Sequence, residues 1–148
     1  MEKIVNDFTI NIATANGTGS QSANLILLNS LFRMGTHVSG KNLFPSNIAG
    51  LPTWYIVRVS DHGYQAPGDE THIQILMNID TWAEDLTELS PGSVVIYNTD
   101  VKAPVEREDL VLYPASMTQM ARTLNPKLAK LVSNMIYVGI MAEMLEIP

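Results

Sequence analysis

Apolar and polar positions alternate through Phe8-Thr9-Ile10-Asn11-Ile12-Ala13, and this period of two in β-forming side chains predicts a strand. Thr14 to Gly19 is a loop of small residues, and from Ser20 the period changes. Ala23, Leu27, Leu31 and Met34 recur at helical spacing, with Ile26, Leu28 and Phe32 widening the stripe. That pattern predicts a helix largely buried against a sheet and ended at Gly35. His37-Val38-Ser39 reads as a short second strand. Gly40 to Pro52, interrupted by Pro45 and Gly50, reads as a long irregular loop of the kind that is often functional. Trp54 to Ser60 is the clearest strand in the chain, followed by turns at Asp61-His62-Gly63 and Pro67-Gly68-Asp69.

Ile73 to Met77 is a buried strand. Asp80 stands where it can cap a helix from Thr81 to Leu89, which Pro91-Gly92 breaks. Ser93 to Asn98 is another buried strand, and Leu110 to Tyr113 is the last. A helical tail covers Met117 to Leu124 and, after Asn125-Pro126, Lys127 to Leu145, with Pro126 suited to a first helical turn. The order is β, α, β, β, β, α, β, β, α. Continuous apolar strands with helices between them predict one α/β domain over residues 1–148, a Rossmann-like three-layer α/β/α sandwich whose sheet is mostly parallel and covered on both faces.

Composition narrows what such a domain does. Charged residues make up only 16% of the 148 residues, where about 25% is usual, so part of the surface is expected to lie against another protein. The formal net charge is −6, with most of the acids between Asp61 and Asp109. That excludes the clustered Lys and Arg of a nucleic-acid footprint. There is no cysteine, which removes disulfides, thiolate-ligated iron–sulfur clusters and thiol nucleophiles from this chain. No apolar signal core opens the chain, and no apolar run is long enough to span a bilayer. A cytoplasmic protein with no membrane contact is expected.

Candidate chemistry is sparse. In the first strand-to-helix turn, Ala15-Asn16-Gly17-Thr18-Gly19-Ser20-Gln21, glycines allow close backbone approach, and N–H groups at the helix start favour a phosphate or carboxylate. Thr18 and Ser20 add hydroxyls. A tight turn with Ser20 as N-cap explains the same residues. A P-loop is excluded, because Gly19 is followed by Ser20-Gln21 rather than Lys then Ser/Thr. A nicotinamide fingerprint lacks its third glycine, Ser22 standing there, and Ser39-Gly40-Lys41-Asn42 offers no ribose-binding acid. His37, His62 and His72 lack metal-ligand spacing, so no metal site is expected. No nucleophile elbow or acid/base pair is found, so no catalytic residue is assigned. Asp80, Glu84, Asp85 and Glu88 line a helix as a solvated face, and the methionines read as core or partner-packing residues. The loop after the second strand offers Lys41, Phe44, Pro45 and Asn47, with Trp54 beyond it, as a partner-docking surface.

These residues carry a resemblance. Val5-Asn6-Asp7-Phe8-Thr9-Ile10, Asn16-Gly17-Thr18-Gly19-Ser20, Phe32-Arg33-Met34-Gly35 and Val38-Ser39-Gly40-Lys41-Asn42 are its first stretches. It continues through Phe44-Pro45-Ser46-Asn47-Ile48, Gly50-Leu51-Pro52-Thr53-Trp54-Tyr55 and Arg58-Val59-Ser60 to Leu89-Ser90-Pro91-Gly92 and Asn134-Met135-Ile136-Tyr137-Val138-Gly139. The chain resembles the gamma domain of 2-oxoacid:ferredoxin oxidoreductases, most of all the N-terminal gamma portion of the alpha subunit of 2-oxoglutarate:acceptor oxidoreductases. The block from Lys41 to Ser60 is the specific part.

The resemblance implies a complex that oxidatively decarboxylates a 2-oxoacid to an acyl-CoA. Thiamine diphosphate with magnesium and the iron–sulfur clusters that feed ferredoxin are expected on partner subunits or domains, in a homo- or hetero-oligomer. This domain is expected to bind no cofactor tightly by itself, to contribute subunit packing and coenzyme A access, and to place Gly17, Thr18, Gly19 and Ser20 at coenzyme A phosphates. A binding or assembly module that kept the fold without the enzyme is the alternative. Ser20 and Ser22 stand where many members have a glycine-richer turn. Family gamma portions usually continue past the helix that closes near Pro148, which leaves a fragment, a short stand-alone subunit and a gamma-like protein without a redox partner all open.

Overall fold

A computed structural model describes residues 6–45, 48–66, 68–101 and 105–148. Four positions named above, Val5, Ser46, Asn47 and Pro67, lie outside them. The chain runs β1 (Phe8–Ala15), α1 (Ser20–Arg33), β2 (Val38–Leu43), β3 (Pro52–Val59), β4 (Ile73–Leu76), α2 (Trp82–Thr87), β5 (Val94–Asn98), β6 (Val111–Ala115), α3 (Met117–Leu124) and α4 (Ala129–Met144), with a 3-10 turn at Pro126–Leu128 between the last two helices. The predicted element order holds. The strands form one six-stranded sheet in the order β2-β3-β1-β4-β5-β6.

Side chains alternate across that sheet as the period of two requires. Ile10, Ile12, Tyr55, Val57, Ile73, Ile75 and Ile96 face α1, α3 and α4, and meet Ala23, Leu27, Leu31, Met117, Tyr137 and Met141 in the larger core. Ala13, Leu76 and Val95 face the other way, against Trp82 and Leu86 of α2 with Leu89 and Leu110. Both faces are covered, one by three helices and the other by a single short one.

The sheet is mostly parallel, as expected: β1, β4, β5 and β6 pair in parallel, while β3 runs antiparallel to both β1 and β2. The cause is length, since residues 44–51 between β2 and β3 are too few for a crossover, which needs a dozen or more. The long loop is correspondingly shorter, because Gly40 to Leu43 continue β2 and Pro52 opens β3. Their own β preference is weak, and the ladder to β3 imposes the strand. Ile26, Phe32 and Met34 are not in a buried stripe; they are 45%, 67% and 43% exposed. Finally, Asp85 does not belong to a solvated face. It is buried, and accepts hydrogen bonds from Thr81 Oγ1 at 2.7 Å and Trp54 Nε1 at 2.8 Å. Asp80 does not cap α2, whose N-cap is Thr81. Among the described residues, no helix is long and apolar enough to cross a membrane.

Candidate functional site

The turn between β1 and α1 is held from three sides. Gly17 and Gly19 adopt φ of +79° and +83°, a region costly for residues with a Cβ. A Cβ on Gly17 would lie 3.2 Å from the Ala49 Cβ, and one on Gly19 would lie 2.6 Å from Leu131 Cδ1. The glycines therefore let the β2–β3 loop and α4 close on the turn. Asn16 fixes the loop side: its N–H donates to Leu51 O, its carbonyl accepts from Gly50 N–H, both at 2.8 Å, and its side-chain amide donates to Ile48 O. Asn134 fixes the helix side, donating from a buried amide to Thr18 O at 2.8 Å. Within the turn, Thr18 Oγ1 donates to Ala15 O.

Ser20 is not the N-cap. It is the first residue of α1, Gly19 occupies the cap position, and no side chain caps that end. The Ser20 hydroxyl is instead buried, accepting from Thr14 Oγ1 at 2.9 Å. The first turn of α1 holds no acid. The N–H groups of a first helical turn have no intrahelical acceptor, so this end presents uncapped donors and the positive end of the helix dipole.

Those donors border a cavity of about 320 Å³. Gly17, Gly19, Ser20 and Ser22 line one side, and Asn42, Phe44, Thr53, Trp54 and Tyr55 the other. The two regions singled out in the sequence thus meet in one cleft. They do so although β2 is an edge strand, because β3 begins where β1 ends, with Pro52 opposite Ala15. Tyr55 is largely buried there, and burial holds its phenol proton more firmly than in water. A Cβ at Gly40 would lie 2.2 Å from the Tyr55 hydroxyl, so that glycine makes room for the ring.

The structure sorts the other predicted residues. Trp54 lines the cavity, with its indole N–H engaged by Asp85. Phe44 is exposed at the mouth, and Pro45 lies in a shallower depression with Leu43 and Trp54. Lys41 is exposed on β2, on the strand face opposite Asn42 by alternation. Thr18 turns away from this cavity toward a second one on the far side of the turn. Asn47 falls outside the described residues.

Sequence reasoning missed Asn24, Asn42, Thr53 and Tyr55 as lining residues, and Asn16 and Asn134 as clamps. One signal was in the sequence: no Asp or Glu occurs from Phe8 to Ser60 or from Leu110 to Ala142. Those two segments carry α1, the β2–β3 hairpin, α3 and all but the end of α4, and the residues lining the cleft include no carboxylate. Among the described residues, no group of His, Asp or Glu could hold a metal ion.

Comparison with known proteins agrees with this architecture. Residues 9–148 match the family described as pyruvate ferredoxin/flavodoxin oxidoreductase. The structure is similar to a 2-oxoglutarate:ferredoxin oxidoreductase from Magnetococcus marinus with 2-oxoglutarate, coenzyme A and succinyl-CoA bound. That match has a TM-score of 0.83 and 25% identity, and covers 96% of this chain but 24% of the other, so this chain spans about a quarter of that protein's length. Pyruvate oxidoreductase subunit PORC from Thermotoga maritima shares the fold at TM-score 0.73 and 15% identity, over 97% of this chain and 79% of the other. So does the gamma subunit of a keto/oxoacid ferredoxin oxidoreductase from Geobacter sulfurreducens, at TM-score 0.73 and 15% identity over 91% and 75%. No curated protein sequence matches the chain.

Proposed function

Because this chain belongs to the pyruvate ferredoxin/flavodoxin oxidoreductase family, we propose that it is the gamma domain of a thiamine diphosphate-dependent 2-oxoacid:ferredoxin oxidoreductase, where it packs against the catalytic modules and receives coenzyme A in the cleft at the β1–α1 turn. The observation that carries this reading is the junction of uncapped helix N–H donors with a carboxylate-free cleft. Coenzyme A is strongly anionic through its phosphates, and a helix N-terminus is a natural phosphate site. The rest of the cleft, with Phe44 and Trp54 beside Asn42 and Thr53, offers apolar surface with a few polar anchors, as small-molecule sites do.

The residues suit the phosphates of coenzyme A and do not suit an iron–sulfur cluster. A chain without cysteine has no thiolate for an iron–sulfur cluster. We assign the clusters to partner domains on that ground, and thiamine diphosphate and magnesium to them as the resemblance implies, with the electrons passing to ferredoxin through the clusters. When bound, coenzyme A would supply the thiol that takes up the acyl group. Gly17, Gly19 and Ser20 would hold its phosphates, and the Asn16 and Asn134 clamps would keep the turn in shape without touching the ligand. The low charge and the exposed Phe44, Ile48 and Leu51 of the β2–β3 loop support packing against a partner.

A second reading has its own support. The contacts at Gly17 and Gly19 explain both glycines by packing alone, which suits an assembly module that keeps the fold and binds no coenzyme. Purifying the chain from its native source separates the two. The oxidoreductase reading expects thiamine diphosphate- and cluster-bearing chains to co-purify, with 2-oxoacid- and coenzyme A-dependent reduction of ferredoxin. A purified assembly lacking both groups would contradict it.

A further inference from the structure

A second cavity, of about 160 Å³, lies on the other side of the glycine turn, at the carboxyl ends of β1 and β5. Thr18, Asn98, Thr118, Lys130, Ser133 and Asn134 are among its lining residues. Its position has a topological reason. From β1 the chain leaves toward β2 on one side of the sheet, and from β4 toward β5 on the other. Open α/β sheets bind ligands outside the strand ends at such a switch point.

Most of the polar groups there are engaged within the protein. Asn134 donates to Thr18 O, Ser133 Oγ donates to Lys130 O, and Thr18 Oγ1 donates to Ala15 O. Two donors are left. Thr118 Oγ1 accepts from Asn98 Nδ2 at 2.9 Å, so its own hydroxyl proton remains to be given. Lys130 has no carboxylate partner among the described residues. Asp100 is the acid nearest in sequence to these strand ends, and one of its oxygens already accepts from Gln119 N–H at 2.9 Å; it does not line the cavity.

We infer that this cavity is a second phosphate subsite, with the Lys130 ammonium as its countercharge and the Thr118 hydroxyl as a further donor. The inference rests on the coenzyme A reading, and deepens it. Coenzyme A carries phosphate in two places, a diphosphate and a 3′-monophosphate. The turn separates the two cavities, with Gly17 and Gly19 lining one and Thr18 the other. The diphosphate goes to the α1 start and the 3′-phosphate to Lys130, a compact point charge of the kind that pairs with phosphate.

Two measurements test it. Titrating coenzyme A and 3′-dephospho-coenzyme A into the assembled oxidoreductase compares wild type with Lys130→Gln and Lys130→Arg. Lys130→Gln is expected to weaken coenzyme A by about tenfold or more, to leave the dephospho form unchanged, and to be largely rescued by Lys130→Arg. Equal loss for both ligands, or no loss for either, overturns the subsite. Titrating the full chain with inorganic phosphate, read by amide NMR at Thr118 and Ser133, stands apart from the coenzyme. Shifts that vanish in Lys130→Gln sustain the subsite even if coenzyme A fails to bind, a result that would instead sink the coenzyme reading. An absence of such shifts in wild type counts against the subsite itself.

Discussion

Asp85 shows what a carboxylate does when a six-residue helix cannot keep it in water. Burial raises its proton affinity most, the hydrogen bonds from Thr81 and Trp54 oppose that, and Glu84 and Glu88 add to it; the net direction is upward. A group that binds protons more tightly folded than unfolded destabilises the fold as pH rises. The unfolded carboxyl ionises near pH 4, and the folded one only above that. Stability from this group is therefore present at low pH and lost as pH climbs from the ordinary carboxylate range through the raised value. Asp85→Asn keeps an acceptor for Trp54 and removes the charge, so it should hold or raise stability at pH 7 and flatten the pH dependence. Asp85→Ala strands the Trp54 N–H and the Thr81 hydroxyl, and should cost about 1–3 kcal/mol for each buried group left unpaired. Urea melts between pH 4 and 8 measure both. Gly19 is the other sensitive position. Gly19→Ala combines a left-handed φ with contact against Leu131 and should cost about 1–3 kcal/mol in the same melts. A glycine substitution in this turn thus perturbs the fold whatever it does to a ligand.

At the scale of elements, the helices on the larger core face are tied by polar groups as well as by packing. Tyr137 on α4 is fully buried and donates to Asn24 Oδ1 on α1 at 2.7 Å. Burial holds its phenol proton far more firmly than in water, so it remains a donor at every working pH. Tyr137→Phe leaves the buried Asn24 oxygen unpaired and should lower stability by about 1–3 kcal/mol with little change in shape, which thermal melts and far-UV circular dichroism would register together. The elements themselves were largely legible. The α3 bounds match the Met117–Leu124 pattern, because apolar spacing there is set by one clear face. The hairpin was not, because Gly40, Lys41 and Asn42 become a strand only through β3. Asp85 reads as solvated in sequence because its neighbours Glu84 and Glu88 are, and its burial involves Trp54, 31 residues away. For the same reason the site was half visible. The turn and the loop each drew attention as local motifs. The antiparallel placement that makes them one cleft, and recruits Thr53 and Tyr55, is a property of the sheet.

The whole molecule is divided by charge. Its acids gather in the segment from Asp61 to Asp109, while the acid-free segments carry Arg33, Lys41, Arg58, Arg122, Lys127 and Lys130. Both cavities beside the turn are lined from the acid-free segments with few exceptions. An anionic ligand approaching that side meets no carboxylate wall, and its capture should weaken as salt screens the cations. The most direct test of the central claim, that the α1 start receives coenzyme A phosphate, places a charge there without disturbing the glycines. Ser22 is exposed in the first turn of α1 and lines the cleft. An acid at that position favours the helix dipole by about 0.3–1 kcal/mol yet repels a phosphate. Calorimetric titration of coenzyme A into the assembled protein, wild type against Ser22→Asp, is the measurement. A variant at least as stable as wild type that loses tenfold or more in coenzyme A affinity is the predicted result. Unchanged affinity in a folded Ser22→Asp protein would contradict the claim and leave the turn a structural feature.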